Sequence, residues 1–70
     1  MGTMLRLAVN GESRQVPEGA TVRDLVQDLG LTGKAVAVEL NQRVVPRREH
    51  GQALLHDGDV VEIVTLVGGG

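Results

Sequence analysis

TVRDLVQDLG, residues 21–30, is the stretch that decides the fold. Thr21, followed three residues later by Asp24, is a capping pair in which each side chain can meet the other's backbone N–H, so a helix starts there. Val22, Leu25, Val26 and Leu29 then recur at i, i+3, i+4 and i+7 and make one apolar stripe. Gly30 can take the left-handed conformation that ends a helix. A helix with a single apolar stripe covers one face of a sheet.

On both sides of that helix the apolar period shortens to two. Upstream, Leu5, Leu7 and Val9 alternate with Arg6 and Ala8, Asn10-Gly11 supplies the positive φ of a two-residue hairpin turn, and a strand returns over Ser13 to Val16. Pro17-Glu18-Gly19 breaks the pattern. Downstream of Gly33, Val36, Val38 and Leu40 alternate with Ala37 and Glu39, and Val44-Val45 is a short apolar piece ended by Pro46. Arg47 to His56 has no clear period, and Ala53, Leu54 and Leu55 are expected to cap the core from a loop or short helical turn. Asp57-Gly58-Asp59 turns the chain into a last apolar strand, Val60 to Val67. Two hairpin-like pairs flanking one helix predict an α+β β-grasp, a mixed sheet of four to five strands with one main helix packed on it. Its first strand would run parallel to its last. The domain is expected over residues 1–67, with 68–70 a flexible glycine tail.

Composition limits the chemistry. Seventy residues make one domain, of a size that buries only about 60% of its unfolded surface, so a deep substrate cavity is not expected. Hydrophobic residues are 41% of the chain and aromatic residues 0%, which leaves an aliphatic core. The absence of cysteine excludes a disulfide scaffold, a thiolate metal site and a cysteine nucleophile or persulfide on this chain. Seven Lys and Arg against nine Asp and Glu give a net charge of −2, without the basic excess or aromatic platforms of a nucleic-acid binder. No apolar run approaches the roughly 20 residues that cross a bilayer. Met1-Gly2-Thr3-Met4 leads into a strand rather than a signal peptide, so a cytoplasmic protein is expected. Met1 and Met4 both fit as the start.

Function concentrates at the other end. Gly68, Gly69 and Gly70 follow the last strand with no residue after them. Without Cβ atoms an extended glycine backbone can enter a slot too narrow for other residues, and the α-carboxylate of Gly70 becomes the candidate reacting group; a frayed terminus is the competing reading. If Val61 and Ile63 face the core, then Val60, Glu62, Val64 and Leu66 lie on the opposite face. Leu66 and Val64, with Glu62, would then form a docking patch beside the tail. Arg47 of the Arg47-Arg48 pair is a further interface candidate, for an acidic partner or anion. His50 and His56 stand near Glu49, Asp57 and Asp59 without a metal-binding spacing, so they read as solvated loop residues and no metal is expected. Ser13, Thr21 and Thr65 lack a base partner, and no catalytic residue is expected.

In sequence order the chain carries a hairpin, a capped helix, Val36-Ala37-Val38-Glu39-Leu40-Asn41-Gln42, Val45-Pro46-Arg47, Asp57-Gly58-Asp59 and a closing Gly69-Gly70. That order resembles the ThiS sulfur-carrier proteins of thiamine biosynthesis, over nearly the whole chain. It resembles the related MoaD-like molybdopterin carriers as well, and ubiquitin more distantly, all β-grasp proteins ending in Gly-Gly. The strand followed by Asn41-Gln42 and Val45-Pro46-Arg47 favours the thiamine branch, and Gly68 is an additional glycine. The resemblance implies a ubiquitin-like carrier that is a cosubstrate rather than an enzyme. Gly70 would be adenylated by a ThiF-like adenylyltransferase using ATP and Mg, and Gly69 and Gly68 would serve its recognition of the tail. Sulfur from a cysteine desulfurase or another persulfide donor would convert Gly70 to a thiocarboxylate for a ThiG-like thiazole synthase. The chain would bind no cofactor itself. A carrier for molybdopterin or tRNA thiolation and a ubiquitin-like protein modifier remain as alternatives.

Overall fold

Thr21 lies in extended backbone, with φ −107° and ψ 170°. Its Oγ1 accepts from the Asp24 N–H at 3.2 Å, and its own N–H donates to Asp24 Oδ2 at 2.9 Å. The reciprocal pair satisfies donors that the first turn of α1 (Val22–Asp28) would otherwise leave open. At the far end Gly30 takes φ 75°, its N–H reaches the Gln27 carbonyl at 3.0 Å, and the Leu31 N–H reaches the Val26 carbonyl at 3.0 Å. These are the two bonds of a Schellman stop. The structure, a computed structural model, describes residues 2–66.

The helix covers one face of a five-stranded sheet in the order β2-β1-β5-β3-β4. β1 (Met4–Val9) and β2 (Glu12–Pro17) form the expected hairpin, with Leu5 opposite Val16 and Val9 opposite Glu12. The turn between them needs positive φ at both central residues, and Asn10 and Gly11 supply 51° and 83°. β3 (Val36–Leu40) and β4 (Arg43–Val44) are joined by a second such turn, Asn41-Gln42 at φ 52° and 70°. β5 (Val60–Thr65) fills the middle, parallel to β1 through Ala8–Val60 and Val9–Val61 and antiparallel to β3 from Val36–Thr65 to Leu40–Val61. This is the mixed β-grasp sheet that the alternation predicts.

The core is wholly aliphatic. Leu7, Val22, Leu25, Val38 and Val61 are completely buried between sheet and helix, with Leu5, Val9, Val16, Ala20, Val26, Leu55 and Ile63 around them. In the segment without a clear period, Ala53 and Leu55 cap the core from a loop, as expected, and Leu54 does not. A 3-10 turn, Arg47–Glu49, opens it, after which residues 53–55 run extended rather than helical. The Val22 N–H donates to the Ala53 carbonyl at 2.9 Å, the Leu55 N–H donates to the Ala20 carbonyl at 2.9 Å, and Thr21 and Leu54 form an antiparallel bridge. Extended backbone alternates its side chains, so Leu55 is buried while Leu54 is left 53% exposed and does not cap the core. No helix among the described residues is long and apolar enough to cross a membrane.

Candidate functional site

The outward face of β5 follows from the strand's period. Val61 and Ile63 turn into the core, which turns Val60, Glu62, Val64 and then Leu66 to solvent. Val60, Val64 and Leu66 are 50%, 59% and 54% exposed and form an apolar row open to solvent among the described residues. The Leu66 N–H donates to the Ala35 carbonyl at 2.8 Å, which holds the end of this row beside the start of β3. Val67 and the glycines Gly68, Gly69 and Gly70, with the reacting group expected on the last, lie outside the described residues.

Register adds neighbours that sequence reading did not reach. Ala37 stands opposite Val64, Glu39 opposite Glu62, and Val44 of β4 opposite Glu39. Directly paired residues share a sheet face, so Ala37 and the 70% exposed Val44 extend the apolar surface. Two carboxylates, Glu39 and Glu62, meet across the strands within it. The alternation of Val36 to Leu40 already marks Ala37 and Glu39 as outward, but only pairing with β5 shows which residues they stand beside.

Arg47 is not part of that face. It lies in the 3-10 turn and lines a groove of about 610 Å³ on the helix side, together with Arg23, Lys34 and Arg48. His50, expected to be solvated, is buried under the same turn. Its Nε2 lies 3.0 Å from the Val45 carbonyl, and since a carbonyl only accepts, Nε2 carries the proton. His56 stays exposed, 3.9 Å from Asp59. Asp57 and Asp59 serve the turn: Asp57 Oδ1 accepts from the Arg6 N–H at 2.8 Å and Asp59 Oδ2 from the His56 N–H at 2.8 Å. Among the described residues no group of three or more His, Cys, Asp or Glu is placed to hold a metal ion. What those residues present is an exposed apolar face on β5, β3 and β4.

Comparison with known proteins gives this arrangement its context. A match to the ThiS family spans residues 4–70 and so includes the glycines. The chain is 42% identical over 62 residues to the sulfur carrier protein ThiS of Thermus thermophilus, covering 89% of this chain and 95% of that one. It is 41% identical over 66 residues to a thiazole synthase of Paramagnetospirillum magneticum, covering 94% of this chain. The chain spans about a fifth of the length of that synthase, and equally of a second one from Magnetococcus marinus. A crystal structure of the thiamine biosynthesis protein ThiS from Geobacter metallireducens matches with a TM-score of 0.75 and 36% identity, covering 94% of this chain and 100% of that one.

Proposed function

The chain belongs to the ThiS family, and from that premise we propose that it is a cytoplasmic sulfur carrier of thiamine biosynthesis, with the sulfur held on Gly70. The observation that carries the reading is the uncovered apolar row of β5, Val60, Val64 and Leu66, on the strand that continues in sequence into the glycines. A carrier needs a surface by which successive enzymes grip it and a narrow segment that reaches their active sites. The row supplies the first and Gly68-Gly69-Gly70 the second.

The chemistry requires activation from outside. A carboxylate is a poor acyl electrophile because its oxygen is a bad leaving group. A ThiF-like partner, using its own ATP and Mg, joins the Gly70 carboxylate to the α-phosphorus and releases pyrophosphate. A persulfide delivered by a cysteine desulfurase or another donor attacks the carbonyl and expels AMP. Cleavage of the resulting S–S bond by a thiol leaves the thiocarboxylate, whose sulfur passes to a ThiG-like thiazole synthase. The chain contributes no catalytic group. Gly69 and Gly68 fit the partner's channel because they lack side chains, Leu66, Val64 and Glu62 meet the partner's surface, and Arg47 takes an acidic group of a partner.

Intact-mass measurement of the protein from its native cells tests the reading. Replacement of one oxygen by sulfur adds about 16 Da at the terminus. An isopeptide adduct to a lysine would instead identify a protein modifier, and an unmodified chain in cells actively making thiamine would refute the carrier role.

A further inference from the structure

Apart from Arg47, the groove on the helix side has no part in the proposed carrier chemistry. It runs between α1, the loop before β3 and the 3-10 turn, and Arg23, Lys34, Arg47 and Arg48 line it without a single Asp or Glu. Four of the chain's seven cations therefore gather at one place, with Glu49 the one carboxylate near them by ion pairing among the described residues. Among the described residues Arg23, Lys34 and Arg47 have no carboxylate within 4.0 Å, and Arg48 reaches only Glu49, at 3.9 Å with its side chain 83% exposed. Cations crowded together with a single, exposed counter-ion among them repel one another, and an external anion relieves them.

The walls are held in place by backbone bonds. The Arg23 N–H donates to the His50 carbonyl at 3.0 Å and so ties α1 to the 3-10 turn, while buried His50 anchors that turn to Val45. The floor between the cations is apolar, made by Val26 and the half-buried Leu31 and Val36. A small hydrated anion has no use for an apolar floor, and the chain has no aromatic residue on which a nucleic-acid base could stack. A peptide that alternates carboxylates with aliphatic side chains matches both features. We propose that this groove docks an acidic, amphipathic segment of a partner protein, its carboxylates on the four cations and its apolar side chains on Val26, Leu31 and Val36. The groove lies on the opposite side of the sheet from the outward row of β5, so the inference stands whether or not Gly70 carries sulfur.

A fluorescein-labelled synthetic peptide of repeated Glu-Glu-Leu triplets, titrated with the protein and followed by fluorescence anisotropy, tests this. Saturable binding is expected that weakens with salt, weakens about tenfold or more in Lys34→Glu/Arg47→Glu, and is unchanged in Leu66→Asp. Arg23→Gln and Arg48→Gln, which remove charge without reversing it, give the same direction should the double variant fail to fold. Absence of saturable binding, or equal binding by these variants, overturns the proposal. Equal affinity for a Glu-Glu-Ser peptide removes the apolar floor and overturns it as well. Tighter binding of tripolyphosphate or of a short RNA through the same residues would make the groove a phosphate site instead.

Discussion

Asn10 is a turn residue whose side chain acts as a strand. Its φ of 51° opens the β1–β2 hairpin, and its side chain then crosses to β5, donating from Nδ2 to the Ile63 carbonyl at 3.0 Å and accepting the Ile63 N–H on Oδ1 at 2.8 Å. Main-chain pairing between β1 and β5 ends at Val9–Val61, so the amide continues the ladder where the backbone has turned away. Asn41 makes half of such a bridge on the other flank, with φ 52°, its Oδ1 accepting the Val60 N–H at 2.9 Å while its Nδ2 donates to Asp59 Oδ1 at 3.0 Å. Sequence reading finds the turn at Asn10 because Asn-Gly is a local signal. It does not find the bridge, whose partner lies 53 residues away. Asn10→Gly keeps the turn geometry and deletes only the bridge. We predict a loss of about 2 kcal/mol, from two part-buried backbone groups left without partners, or roughly 10 °C in Tm for a domain of this size. An unchanged thermal melt would show that the amide merely follows the strand.

At the scale of elements, β5 was legible in its period and opaque in its company. Alternation alone turns Val64 and Leu66 outward, and both are exposed. The register that sets Glu62 against Glu39 depends on how β3 docks, which no local pattern states. Like charges directly opposite destabilise a sheet by about 0.2–1 kcal/mol, so Glu39→Gln should raise the melting temperature by a few degrees; a lower Tm would mean that the pair is compensated. Leu66→Asp tests the docking role. Because Leu66 is 54% exposed, the melt should stay within about 0.5 kcal/mol of wild type. Calorimetric affinity for a ThiF-like activating enzyme should fall by about 2 kcal/mol, the size of a hot-spot loss. Unchanged affinity would remove Leu66 from the interface. The stretch from Arg47 to His56 has no period to read for the opposite reason: beyond the local bonds of its 3-10 turn, its path is set by bonds to Ala20, Val22 and Val45, which lie outside it. Arg47 likewise gained its neighbours Arg23 and Lys34 only through folding.

For the whole molecule, the buried core of the described residues is drawn from the sequence between Leu5 and Ile63, which ends before Gly68. Deleting Gly70 should therefore leave the thermal melt unchanged and abolish ATP–pyrophosphate exchange with the activating enzyme, and retained exchange would sink the proposed reaction at that carboxyl. Order of synthesis gives the sheet a further property. The strand at its centre, β5, is the last of the five to leave the ribosome, while β1 and β3, its neighbours on either side, are made long before it. Until Val60 to Thr65 emerge, the edges of β1 and β3 that β5 pairs in the folded sheet have no strand to fill them and are open to pairing with another chain. Closure of the parallel β1–β5 contact spans most of the sequence, a slow kind of step. Chains stalled before β5 are thus the species that a chaperone would have to shield, and they lack the outward row of Val60, Val64 and Leu66.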